Sequence, residues 1–98
     1  MAAYVIANNE VLDQAKFQEY ARAVPATAEK YGGRFLVRGG TAHVLEGDMQ
    51  PHRVVIIEFP SVQQAQAWWS SPEYEAIKPL RHAAARCHAN ILAEGVQQ

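Results

Sequence analysis

Apolar positions recur with two periods along this chain, near two residues in some stretches and three to four in others. The alternation between these periods predicts its elements. Arg53–Phe59, RVVIIEF, is a β-branched and aromatic run too short to span a bilayer, so it is expected to be a strand buried on both faces. Pro60 ends it, Ser61 supplies an N-cap oxygen, and Gln64 three residues later completes a capping box for a helix. Val62, Ala65, Trp68 and Trp69 make that helix's apolar face, and Ser70-Ser71-Pro72 breaks it. Ser71 then caps a further helix, with Pro72 at its first position and Glu73 and Glu75 where the helix dipole favours negative charge. Pro79 is expected to end or kink that piece, leaving residues 80–86 as a last helical turn or two.

Upstream, residues 2–8 alternate, with Tyr4 and Ile6 on one face and Val5 and Ala7 on the other, and Asn8-Asn9 reads as the turn that follows. Asp13 is the expected N-cap of the next helix, with Leu12 placed to staple onto Phe17. Phe17, Tyr20, Ala21, Val24, Ala28 and Tyr31 follow at steps of three and four and form one apolar stripe. Pro25 predicts a kink near Ala21 and Arg22, and Gly32-Gly33 a left-handed C-terminal cap. Arg34–Arg38 is a second strand, with Phe35 and Val37 against Arg34, Leu36 and Arg38. Gly39-Gly40 interrupts it and residues 43–46 resume a short extended piece, so the glycines fit a bulge, a bend or a small hairpin equally. Residues 47–52 read as an exposed loop, and residues 87–93 as a last strand setting Cys87, Ala89, Ile91 and Ala93 against His88, Asn90 and Leu92.

The order is therefore that of the βαββαβ split, a ferredoxin-like α+β sandwich with an antiparallel sheet and its helices on one face. The other face would expose Val54 and Ile56, or Val55 and Ile57, and neither pair is polar enough for water. A homodimer closing sheet against sheet into a barrel-like core, with two equivalent sites, is the expected solution. The 98 residues fit one domain spanning 1–98, and 49% hydrophobic against 19% charged residues supports a core. A formal net charge of -1 argues against nucleic-acid or anionic-membrane partners. Cys87 stands alone, so no internal disulfide forms, and MAAYVIANNE lacks the basic and long apolar regions of a signal peptide. With no apolar run approaching the ~20 residues of a membrane span, a soluble cytoplasmic protein is expected.

YGGRFLVRGG at residues 31–40, LEG at 45–47, VVIIEFPS at 54–61 and WWSSPEYEAIKPLR at 68–81 resemble the DUF1330 family of small proteins of unknown function, over nearly the whole chain. The resemblance implies the dimeric α/β-barrel fold, whose superfamily also includes small cofactor-free monooxygenases, stress-responsive barrels, and muconolactone-isomerase-like and chlorite-dismutase-like proteins. Such a fold supports several unrelated chemistries, so it implies architecture more firmly than activity.

Tyr20, Arg38, Glu46, Glu58, Trp69, Tyr74 and Arg81 are the polar and aromatic residues from which a pocket is expected. Arg38 and Arg81 suit a carboxylate held by paired hydrogen bonds, Tyr20 and Tyr74 suit proton donation, and Glu58 suits a base if burial raises its pKa. Trp69 and Glu46 complete the expected substrate contacts. The bland alternative makes Glu58 and an arginine a structural ion pair, with the tyrosines packed at the rim. Adjacent helical residues lie about 100° apart, so one of Trp68 and Trp69 belongs to the core and the other borders a cleft or interface. His43, His52, His82 and His88 show no close metal-ligand spacing, so neither metal nor cofactor is expected. Cys87 is expected to be a buried, inert thiol, since His88 beside it faces the other way. Neither glycine pair opens a helix as a phosphate loop does. Two functions fit: a small ligand-binding protein acting on a carboxylated or aromatic compound, with monooxygenase or isomerase-like chemistry, or a non-catalytic dimeric module.

Overall fold

The computed structural model describes residues 1–96 and realises the expected order of elements: β1 Ala3–Val11, α1 Gln14–Lys30, β2 Arg34–Arg38, β3 Arg53–Phe59, α2 Val62–Trp69, α3 Pro72–Ala84 and β4 Ala85–Glu94. The strands form one antiparallel sheet in the order β2-β3-β1-β4. One face of it carries the helices. Val5, Ile57 and Phe59 from the sheet pack there with Phe17, Tyr20, Val24 and Ala28 of α1, Ala65 and Trp68 of α2, and Tyr74 and Ala84 of α3. No helix among the described residues is long and apolar enough to cross a membrane.

The caps follow from local chemistry. Asp13 accepts from the Lys16 N–H at 3.1 Å, Ser61 from the Gln64 N–H at 3.1 Å, and Ser71 from the Tyr74 N–H at 3.1 Å. Ser71 also donates to the Trp68 carbonyl at 2.7 Å, so one hydroxyl closes α2 and opens α3. At the end of α1 the Gly33 N–H bonds the Ala28 carbonyl and the Gly32 N–H the Glu29 carbonyl, the paired pattern of a Schellman cap, with Gly32 at φ +85°. A Cβ on Gly33 would stand 2.7 Å from the Phe59 ring, so the close packing of helix end on strand needs glycine there.

Several local expectations are corrected. Leu12 is 63% exposed and bonds through its N–H to the Ala84 carbonyl, so it does not staple onto Phe17. Gln64 donates to the Tyr31 carbonyl instead of reaching back to the Ser61 backbone. Pro79 does not end its helix: a missing donor costs one bond, and the buried Tyr74, Arg81 and Ala84 on either side hold α3 continuous, as α1 is continuous through Pro25. Residues 43–46 form no strand; residues 40–52 are a loop without regular structure. Gly39 turns the chain at φ +73° while its N–H bonds the Val54 carbonyl, and a Cβ would meet the Arg53 guanidinium at 2.6 Å.

The registers correct the rest. Asn8-Asn9 is no turn: β1 runs on to Val11, with Asn8 opposite Val54 and Asn9 opposite Arg53. Buried Asn8 fastens the loop's end, donating to the Gln50 carbonyl at 3.0 Å and accepting from the His52 N–H at 2.8 Å. A bulge between Phe35 and Val37 pairs Val37 with Ile56 and Arg38 with Val55. Paired residues share a face, so Phe35 and Arg38 both face the helices and Val37 faces away, against strict alternation. A second bulge passes over His88 in β4, pairing Cys87 with Asn9 and Ala89 with Asn8. Cys87 thereby shares the helix-side register with Asn90 and Leu92 but is exposed, not buried as expected, because it lies toward the end of the edge strand β4, while Ala89, Ile91 and Ala93 line the open face.

Candidate functional site

A cleft opens between the helices and their face of the sheet. Its walls are apolar, formed by Val5, Ala7, Phe17, Val24, Phe35, Val55, Ile57 and Trp68, and its polar groups are Asn9, Asn90, Tyr20, Tyr74, Arg38 and Arg53. Among the described residues, no Asp, Glu or His lines it. The empty space between its walls, mouth included, is about 500 Å³, of which about 40 Å³ can be reached by the centre of a water molecule. The free cleft therefore has room for water.

Each polar group arrives there by a traceable route. Arg38 reaches the cleft because of the β2 bulge, and its guanidinium carbon sits 4.4 Å from the centre of the Phe35 ring. Arg53, opposite Asn9, lies over Phe17 at 5.3 Å. Neither arginine pairs with a carboxylate among the described residues. Asn9 is 3% exposed and its Oδ1 accepts no hydrogen bond among the described residues. On the helix side the Tyr20 and Tyr74 hydroxyls meet at 2.9 Å, joining α1 to α3. Burial first, then Tyr74, pushes the Tyr20 phenol far above its ordinary pKa, so it stays protonated.

Of the residues singled out from sequence, the cleft brings together Tyr20, Tyr74 and Arg38. It does not bring in the other four. Glu58 lies on the open face, where its carboxylate pairs with the Arg34 Nε at 2.6 Å and accepts from the Tyr4 hydroxyl at 3.2 Å. The Arg34 hydrogen bond leads the effects that lower its pKa, the opposite of what a base activated by burial needs. Glu46 stands in the exposed loop. Arg81 is 3% exposed beside the tyrosine pair and its Nε has no partner among the described residues. Burial opposes its charge, yet Tyr74 and Tyr20 hold its pKa above the ordinary value. Trp68 is the core tryptophan, donating to the Thr27 hydroxyl at 3.0 Å, whereas Trp69 is 36% exposed, lies under the Lys78 ammonium at 4.2 Å and lines a separate groove between α2 and β4.

Arg53, Asn9, Asn90, Phe17 and Phe35 are the lining residues that sequence reasoning left out. Continuing the β1 alternation from Val5 and Ala7 would have put Asn9 on the helix face, and Arg53 follows from pairing with it. Nothing local marks the bulge that delivers Arg38.

The whole chain superimposes on several solved structures. A protein of unknown function from Rhodopseudomonas palustris matches with a TM-score of 0.76 at 19% identity, over 99% of this chain and 84% of that one. SnoaB, a cofactor-independent oxygenase from Streptomyces nogalater, matches with a TM-score of 0.68 at 13% identity, over 99% and 95%. A dimeric protein of unknown function and ferredoxin-like fold from Bacteroides fragilis matches with a TM-score of 0.57 at 8% identity, over 96% and 95%. At these identities the likeness is one of fold. No curated protein matches the chain. The model of a domain of unknown function, DUF1330, matches residues 2–96, and the chain belongs to that family.

Proposed function

We propose that this protein binds a small aromatic carboxylate in the cleft between helices and sheet. Arg38 and Arg53 take the carboxylate at the mouth, the ring lies along Phe17, Phe35 and Val55, and Tyr20 and Asn9 offer a donor and an acceptor further in. One observation carries this proposal: two guanidinium groups stand on aromatic walls, without carboxylate partners among the described residues, over an apolar cleft that no acidic residue lines. Planar guanidinium groups match carboxylate geometry, and a bound anion would supply the counter-charge they lack.

The lining favours holding a ligand over taking a proton from it. Tyr20 stays protonated, and among the described residues no carboxylate or imidazole lines the cleft to act as a base. The fold likeness to SnoaB makes oxygen uptake the first activity to assay with any ligand found.

A homodimer formed through the open sheet face belongs to the same proposal. Ile6, Val54 and Ile56 are half-buried there, and Val37 and Ile91 are exposed at 36% and 56%. An apolar surface of this kind is ordinarily covered, and the Bacteroides fragilis protein of this fold is described as dimeric.

The test is a thermal-shift and calorimetric screen of aromatic carboxylates, each beside its neutral amide. Carboxylates should raise the melting temperature and their amides should not. Arg38→Ala and Arg53→Ala should each weaken binding by about 10- to 100-fold, the size of a lost hydrogen bond to a charged group. Equal binding of acid and amide, or undiminished affinity in both variants, would sink the proposal.

A further inference from the structure

We propose a second site, unconnected with the cleft: a divalent transition-metal site formed by Glu10, His52 and His88 at one end of the open sheet face. Two of its ligands come from adjacent strands, Glu10 from β1 and His88 from β4, and the third, His52, is the loop residue that leads into β3. Glu10 lies on β1, one residue beyond the Asn9–Arg53 pair, which places His52 across from it on the β3 side. On the other side, the bulge in β4 adds His88 as an extra residue between Ala89, opposite Asn8, and Cys87, opposite Asn9. The carboxylate is thus flanked by an imidazole on each side, from residues 42 and 78 positions away in the chain, as 52 − 10 and 88 − 10.

The geometry is already gathered. One ligand atom from each of the three residues lies within 4.8 Å of the others. His88 Nε2 is 2.8 Å from a Glu10 carboxylate oxygen, and the His52 and His88 rings stack with centres 4.8 Å apart and planes 20° from parallel. A zinc ion takes histidine nitrogens and carboxylate oxygens at about 2.0–2.2 Å in a tetrahedron, which sets neighbouring ligand atoms about 3–3.5 Å apart. The observed atoms lie near that separation, and the stacked rings must turn for both nitrogens to aim at one ion.

A simple hydrogen bond accounts for Glu10 and His88 alone. It leaves unexplained why a second imidazole is stacked on His88, with its backbone N–H fixed by the buried Asn8 side chain. That bond anchors His52 as the chain leaves the loop and joins β3, so the one ligand outside the sheet also has a fixed backbone. Two imidazoles and one carboxylate suit borderline ions such as Zn²⁺ over Mg²⁺ or Ca²⁺, which prefer all-oxygen shells.

The experiment titrates the full chain, stripped with chelator and dialysed, with zinc chloride. Calorimetry, metal analysis and histidine ring resonances by NMR give the readouts. One zinc per chain is expected, with the His52 and His88 ring signals shifting together. His52→Ala, His88→Ala and Glu10→Gln should each cut affinity at least about 10-fold, and Asn8→Ala, which frees His52, by about 10-fold as well. His82→Ala, on α3 and outside the group, should change nothing. Because the ring signals are read on the unaltered protein, a variant that misfolds does not blunt the test. Zinc shifting only His43 or His82, or binding unaffected by His52→Ala and His88→Ala, would overturn the site whatever the ligand screen of the cleft returns.

Discussion

The Tyr20 and Tyr74 hydroxyls lie 2.9 Å apart in the core, 54 residues apart in the chain, and this bond ties α1 to α3 above the sheet. Both rings are buried, at 8% and 1% exposure, so the bond between the hydroxyls is largely shielded from bulk solvent. Replacing one partner strands the other, which costs about 1–3 kcal/mol, whereas replacing both by rings of the same shape is nearly neutral. Tyr20→Phe and Tyr74→Phe should therefore each lower stability by about 1–2 kcal/mol, and the double variant by less than their sum. Urea unfolding of the four proteins measures this. A double variant whose loss equals the sum would show that the hydroxyls do not depend on each other.

Adjacent tryptophans should respond very differently to truncation. Trp68 is fully enclosed, with its ring 4.3 Å from Tyr74 and 5.4 Å from Phe59 between centres. Trp68→Ala opens a large cavity and should cost about 3–5 kcal/mol, a large share of the 5–15 kcal/mol typical of a domain. Trp69 rests against Tyr74 and Lys78 at the surface, so Trp69→Ala should cost about 1 kcal/mol or less. Chemical unfolding monitored by circular dichroism compares them, and similar losses would contradict the assignment of Trp68 to the core.

The contrast between these neighbours also marks how far sequence reaches. Helical periodicity separates the two rings by angle but not by burial, which depends on where α2 lies against Phe59 and Tyr74. Helix starts at Asp13, Ser61 and Ser71 were legible because a cap is a local event between a side-chain oxygen and an N–H three residues on. The antiparallel sheet with its helices on one face followed from the sequence of elements. What escaped depends on partners distant in sequence. The bulges that turn Arg38 inward and free His88 exist only in the pairing of two strands. Arg34, rather than an arginine of the cleft, claims Glu58 because the register sets those two opposite each other.

Ile56 sits in β3 on the open face, opposite Ile6 on one side and Val37 on the other. If this face closes a homodimer, a charge there is desolvated without a partner, a penalty that disfavours association strongly. Ile56→Glu should convert a dimer into a folded monomer. Sedimentation equilibrium across a hundredfold concentration range checks it. A natural chain that is monomeric throughout, or a variant that dimerises as before, would remove the open face as an interface.

Glu73 offers a test of acid stability with a defined sign. It lies in the first turn of α3, pairs with Lys30 at the end of α1 and accepts from the Tyr31 hydroxyl at 2.9 Å. Lys30 chiefly, then the backbone and Tyr31, bring its pKa down from 4.5 to about 2. A pKa lowered by folding means that the unfolded chain takes up the proton first as pH falls. The stabilisation by this carboxylate is therefore complete above the unfolded value of 4.5 and drains away as pH falls toward about 2. Glu73→Gln should be less stable than the natural protein at pH 7, with the gap narrowing below pH 4.5 and closing near pH 2. Urea midpoints at several pH values follow the gap, and 1 M salt should shrink it at pH 7 because the pair is partly exposed. A gap that stays constant from pH 7 to pH 2 would mean that Glu73 acts through packing and hydrogen bonding independent of its charge.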